Sequence, residues 1–214
     1  MVPSLPAPQG LLLDAMGTLI GLREPVGRTY ARLAEDHGLR LDPQLVEQGF
    51  RQAYRQAPPL AFPGLAGAEL RQAELAWWSA RIRSSLAAAG AAALPEPLGA
   101  ALFNHYAEAS AWRVYSDVAS QLPRWWQRGL KLAVVSNFDS RLPGLLEQLG
   151  LARWLSAMVV SSSAGAAKPD PAPFQLALAQ LQLEAGQVWH VGDSAEDVAG
   201  ATAAGLPCIQ VRRR

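Results

Sequence analysis

The sequence predicts an α/β protein with a parallel sheet, interrupted early by a block of helices. Three observations carry this. The apolar run Leu11–Leu13 ends in Asp14. A long stretch with helical periodicity follows, from about Glu24 to Arg113, with no convincing strand in it. Beyond Tyr115, short apolar strands alternate with helical segments, the signature of crossover helices between parallel strands.

The first strand, residues 10–14, is too short to stand alone and must join the later sheet. The helical block is therefore an insertion between that strand and the rest of the core. Its first helix, in "REPVGRTYARLAEDHG", has Pro near its start and Gly38 as its stop. The second, "DPQLVEQGFRQAYRQA", opens with Asp42 as N-cap and Pro43 at the first helical position. Two more follow in "AELRQAELAWWSARIRSSLAAAG" and "EPLGAALFNHYAEAS". After them, strands "LKLAVVSN", "SAMVVSS", "QVWHVGD" and "LPCIQV" are separated by helices "RLPGLLEQLG", "DPAPFQLALAQLQL" and "SAEDVAGATAAG". The expected boundaries are 1–20 and 115–214 for the core and 21–114 for the insertion.

Half of the 214 residues are hydrophobic, ample for a real core. A formal net charge of +1 gives no reason to expect nucleic acid or an anionic membrane as partner, and Arg212–Arg214 read as a solvated tail. The lone Cys208 excludes an intramolecular disulfide and a cysteine metal cluster, and its apolar neighbours make it a small core residue. "MVPSLPAPQG" does not read as a signal peptide, and no apolar run reaches the ~18 residues of a membrane span. A soluble cytoplasmic protein is expected. Oligomeric state leaves no mark in the sequence.

In open parallel sheets, ligands bind at the carboxyl ends of the strands. Here those ends carry Asp14, then Ser136 and Asn137, then Asp193, with Asp197 four residues later on the next helix. Lys168 lies in the loop "GAAKPDPAPF" before a helix. Two carboxylates from separate strands, a hydroxyl, an amide and a lysine at one point suit phosphoryl transfer. The carboxylates can hold Mg²⁺, while Ser136, backbone N–H groups and Lys168 can receive phosphate oxygens. An aspartate can then attack phosphorus. Alone, each residue has a plainer reading: Asp14 as a turn residue, Asp193 as a helix cap, Lys168 as a surface lysine. His190, within an apolar strand, reads as a hydrogen-bonded core residue. One Trp of each of Trp77–Trp78 and Trp125–Trp126 faces away from the core centre, since neighbouring helical residues diverge by about 100°; packing is expected for the second pair.

With "DAMGT", "VVSN", the lysine of "AAKPDP" and "GDSAEDVAGA" in this order, the sequence resembles the haloacid dehalogenase-like hydrolases over residues 10–20 and 115–211. The resemblance implies a Rossmann-like three-layer core with a helical cap at the insertion, closing over a small-molecule substrate. It implies Asp14 as nucleophile, Ser136, Asn137 and Lys168 as phosphate and nucleophile contacts, and Mg²⁺ on Asp14, Asp193 and the backbone carbonyl of Met16, with Asp197 in support. Phosphatases of the family carry a second aspartate where this chain has Met16. That aspartate protonates the leaving oxygen and activates water, which a thioether cannot do. Three readings follow: a weak or selective phosphatase that favours good leaving groups or borrows an acid such as Glu24 or His105; a 2-haloacid dehalogenase, whose halide leaves without a proton; and a fold retained for binding or regulation. The phosphonate-cleaving branch needs a cap lysine, and the only lysines are Lys131 and Lys168.

Overall fold

The computed structural model describes residues 7–213, so the signal-peptide reading of the first residues and Arg214 of the terminal run largely or wholly lie outside it. The chain divides into two compact units, one of residues 1–21, 61–65 and 114–214, the other of 22–60 and 66–113.

In the order of the chain, β1 spans Gly10–Leu13 and β2 Ile20–Leu22, followed by helices α1 (Val26–Glu35), α2 (Pro43–Arg55), α3 (Gly67–Ala88) and α4 (Glu96–His105). Then come β3 (Trp112–Val114), α5 (Ser116–Gln127), β4 (Lys131–Ser136), α6 (Leu142–Gln148), β5 (Ala157–Val160), α7 (Ser161–Ala164) and α8 (Ala172–Leu181). The last elements are β6 (Val188–Gly192), α9 (Ala195–Ala203) and β7 (Cys208–Gln210).

The first unit is built on a five-stranded parallel sheet of order β5-β4-β1-β6-β7. Leu12 sits beside Ala133 on one side and His190 on the other, so β1 is the central strand. On one face Leu12, Ala133, Val135 and Val159 pack with Phe174, Ala177, Leu178 and Leu181 of α8 and Ala201 of α9. Residues of the opposite parity, Leu11, Leu13, Leu132 and Val134, are equally buried. Burial on both faces explains why β1 and β4 are continuous apolar runs rather than alternating ones.

The second unit is a helical bundle. Val26, Tyr30, Ala34, Val46, Ile82, Leu86, Leu98 and Leu102 form its core, those within one helix at the four-residue spacing that puts side chains on one face. Asp42 caps α2 by accepting from the N–H groups of Gln44 and Leu45 at 2.7 and 3.3 Å, with Pro43 at the first turn.

Several features depart from expectation. A two-stranded ribbon of β2 and β3 lies at the crossings of the chain, so Trp112 and Arg113 are strand, not helix. Helix α5 precedes β4; its apolar face is narrow, with Val118 and Leu122 the buried positions, and Pro123 lies inside it. Residues Ala61–Leu65 belong with the sheet unit although they fall inside the helical insertion: the Phe62 N–H donates to the Ser162 carbonyl at 3.1 Å. Trp77 is buried as one of its pair, while Trp126 is 53% exposed and meets Trp154 edge-on, so packing does not hold for that whole pair. Cys208 is half-buried. Among the described residues no helix is long and apolar enough to cross a membrane.

Candidate active site

Three adjacent strands, β4, β1 and β6, deliver Ser136, Asp14 and Asp193 to one edge of the sheet. Asp14 follows β1 and is buried. Its Oδ1 accepts from the Ser136 hydroxyl at 3.1 Å and from Lys168 Nζ at 2.7 Å. Its Oδ2 accepts no hydrogen bond among the described residues, so one oxygen is pinned and the other is not.

Lys168 is buried, and its ammonium spends its three protons on Asp14, on Asp197 Oδ1 at 2.6 Å and on the Val135 carbonyl at 3.1 Å. Burial alone would lower its proton affinity, but Asp14 and Asp197 outweigh it and raise the pKa above the ordinary lysine value. The Lys168 backbone is clamped by Asn137, whose amide donates to the Lys168 carbonyl at 2.9 Å and accepts from its N–H at 2.7 Å. Asn137 thus clamps the lysine loop through one amide N–H and its carbonyl oxygen.

Asp197 is also buried. Besides Lys168, its Oδ1 lies 2.8 Å from His190 Nε2, and its Oδ2 accepts from the Ser194 hydroxyl and N–H at 2.7 and 3.1 Å. Ser194 and Asp197 form a reciprocal capping box that starts α9, so the motif "GDSAED" builds both a helix end and a charged site. A Cβ on Gly192 would fall inside the Asp197 carboxylate, so this side chain can tuck beneath the end of β6 only because residue 192 has none. Burial opposes ionisation of Asp197, but His190, Lys168 and Ser194 prevail and hold it far below the usual carboxylate range. His190 is the hydrogen-bonded core residue expected from its strand, seated edge-on against Phe174.

Asp193 completes the group. Oxygens of Asp14, Asp193 and Asp197 lie within 4.8 Å of one another. Burial, then the charges of Asp14 and Asp197, push the Asp193 carboxyl above its ordinary value. Lys168 pairs Asp14 and Asp197, and with Asp193 added the cluster carries an excess of negative charge on oxygen donors that fits a hard divalent cation. Both oxygens of Asp197 are already engaged, which leaves Asp14 and Asp193 as the better-placed direct donors. The loop between them is shaped by Gly17, at φ 87°, where a Cβ would collide with Asp193. The Ala15 carbonyl collects the N–H groups of Thr18, Leu19 and Ile20, closing a tight turn from which the Met16 side chain projects, 51% exposed.

Arg213 corrects the reading of the terminal arginines as a solvated tail. Its side chain is 23% exposed, bonded to Asp117 at 2.6 Å and to the Thr18 carbonyl, and stacked 4.3 Å from the Tyr115 ring. Parallel pairing of β7 with β6 carries the chain there, a long-range consequence that three arginines in sequence do not signal.

A family model described as haloacid dehalogenase-like hydrolase matches residues 8–205. The chain belongs to the haloacid dehalogenase-like hydrolases. Human haloacid dehalogenase-like hydrolase domain-containing protein 3 is 40% identical to it over 189 residues, covering 86% of this chain and 73% of that protein. A phosphoglycolate phosphatase of Rhodospirillum rubrum is 31% identical over 207 residues, covering 94% and 78%. The L-2-haloacid dehalogenase structure from Xanthobacter autotrophicus superposes with a TM-score of 0.68 at 23% identity, covering 95% of this chain and 77% of that one, a likeness of fold. Members of this family share the Rossmann-like α/β core described above.

Proposed function

We propose that the chain is a Mg²⁺-dependent hydrolase of small phosphorylated metabolites, working through an aspartyl-phosphate on Asp14. The carrying observation is the division of labour on that carboxylate: Ser136 and Lys168 both bind Oδ1, and Oδ2 is left without a hydrogen bond. In this reading Oδ2 attacks phosphorus, a new P–O bond forms to Asp14, and the bond to the leaving oxygen breaks. Water then attacks the phosphorus, returning Asp14 and releasing phosphate. Lys168 holds Asp14 oriented throughout, Asn137 positions Lys168, and Ser136 is placed to turn its hydroxyl to a phosphate oxygen. Asp14, Asp193 and the Met16 carbonyl would hold the metal, with Asp197 supporting through Lys168. When bound, Mg²⁺ supplies charge neutralisation between the phosphate and the attacking carboxylate.

Met16 supplies no proton, so the leaving group must depart with little protonation. Aryl and acyl phosphates meet that condition better than alkyl phosphates. The phosphoglycolate phosphatase relative supports a small phosphorylated substrate. The helical unit is the cap that selects it in this reading.

One observation favours a second reading: a non-acidic residue at position 16 also suits carbon–halogen hydrolysis, in which halide leaves unprotonated. The clustered Asp14, Asp193 and Asp197 weigh against it, since a metal-free site gains nothing from crowding like charges. A panel of aryl, acyl and alkyl phosphates and 2-haloacids, with and without Mg²⁺, separates the two. The proposal expects metal-dependent phosphate release that Asp14→Asn abolishes. Halide release without metal would refute it in favour of the dehalogenase. Metal binding without turnover would refute it in favour of a binding protein.

A further inference from the structure

We propose that residues 210–213, the last residue of β7 and the three that follow it, act as a strap that sets the position of Asp193, with Arg213 as its positioning residue. The inference rests on the metal-assisted reading above and concerns residues outside its catalytic set.

Three separate contacts converge on Asp193. The Gln210 side-chain amide donates to the Asp193 carbonyl at 3.1 Å. The Val211 N–H donates to the Gly192 carbonyl at 2.8 Å, extending the β6–β7 ladder by one bond to the residue just before Asp193. Arg213 then reaches the Thr18 carbonyl, and the Thr18 hydroxyl donates to Asp193 Oδ1 at 3.4 Å. One short segment thus holds the backbone of Asp193 on one side and, through Thr18, its carboxylate on the other.

Arg213 is itself firmly placed. Its guanidinium bonds Asp117 at 2.6 Å while stacking on Tyr115, and the Tyr115 N–H donates to the Leu19 carbonyl at 3.1 Å. The planar fork spans two acceptors and an aromatic face together, a task a lysine ammonium performs less well. The need for such bracing follows from the charge of the site. Asp193 faces Asp14 and Asp197, and repulsion drives its carboxylate outward unless something holds it. The strap holds it ready, so a cation does not have to bear the cost of gathering its ligands.

The test uses the full chain and Mg²⁺ alone. Wild type, Arg213→Ala, Arg213→Lys and Gln210→Ala are titrated with Mg²⁺ by calorimetry, melted, and assayed on an aryl phosphate for metal half-saturation and kcat at saturating metal. Arg213→Ala is expected to weaken Mg²⁺ binding roughly tenfold, the lower end for partners behind a metal ligand. Its kcat at saturating metal should stay near wild type, because the strap touches no reacting atom. Arg213→Lys should recover part of the affinity, and Gln210→Ala should lose less than Arg213→Ala. If Arg213→Ala melts lower yet binds Mg²⁺ as wild type does, Arg213 is only a structural tie and the strap proposal fails alone. If wild type binds no Mg²⁺, the metal-assisted reading fails and takes the strap with it.

Discussion

Met16→Asp is the substitution that speaks most directly to the chemistry. Residue 16 projects from a turn fixed by the Gly17 N–H to Ile20 carbonyl bond at 2.8 Å, and its side chain is 51% exposed. A carboxylate there remains hydrated, so the cost to folding is that of a surface change, within about 0.5 kcal/mol, plus some repulsion from the site's acids when metal is absent. The gain is a proton donor for the leaving oxygen and a base for the water that follows. General acid–base help contributes roughly 10²–10⁴-fold, equivalent to about 2.7–5.5 kcal/mol of barrier. That gain belongs to alkyl phosphates, whose alkoxide leaves poorly. An aryl leaving group needs little protonation, and its rate should rise less than about tenfold. The assay is kcat/KM with saturating Mg²⁺ on a matched alkyl and aryl phosphate, wild type beside Met16→Asp, with Asp14→Asn as the blank. A selective rise on the alkyl substrate is expected. If the alkyl-to-aryl ratio stays flat, residue 16 is not the missing acid and the account of Met16 is wrong.

Asp197→Asn should destabilise the protein by about 3 kcal/mol, the low end for removing one partner of a buried ion pair, because Asp14 still pairs Lys168. Asp197 binds its proton more weakly folded than unfolded, so its stabilisation is present above the ordinary carboxylate pKa and fades as pH falls below about 4. Urea melts against pH should therefore show a shallower acid-side loss in the variant; an identical slope would refute that assignment. Asp193→Asn acts in the opposite sense. The raised pKa means the folded state binds that proton more tightly, so ionised Asp193 works against folding as pH rises past the ordinary value. The variant should melt higher than wild type in metal-free buffer at neutral pH and gain nothing from added Mg²⁺. Asn137→Ala removes two hydrogen bonds from the Lys168 backbone and should cost about 1–3 kcal/mol in denaturant titrations, with a fall in kcat that exceeds the change in KM.

Much of this site is legible in the chain because strand ends are legible. An apolar run that stops at a polar residue marks where β1, β4 and β6 reach the sheet edge, and parallel pairing then brings Asp14, Ser136 and Asp193 together whatever the intervening sequence. Lys168 sits in the loop before α8 and Asp197 in the first turn of α9, and their sequence context places them too. Helices α1 and α2 declare themselves through periodicity, and α2 also through its Asp42–Pro43 cap. What escaped were β2 and β3, whose three residues each carry too short a pattern to separate strand from turn, and α5, whose buried face is only Val118 and Leu122 and whose interior holds Pro123, a helix-breaking signal.

The sequence by itself named the residues proposed to carry the chemistry, since residue type at a strand end is a local property, and the family resemblance marked position 16 as one that lacks an acid. The tertiary structure alone decided what each side chain spends its hydrogen bonds on. It joined Asn137 to the lysine loop, put both oxygens of Asp197 to work, and drew Arg213 from an apparent tail onto Thr18. Those outcomes depend on atoms brought together from distant parts of the chain, and no local pattern records which of several polar neighbours a buried group will meet.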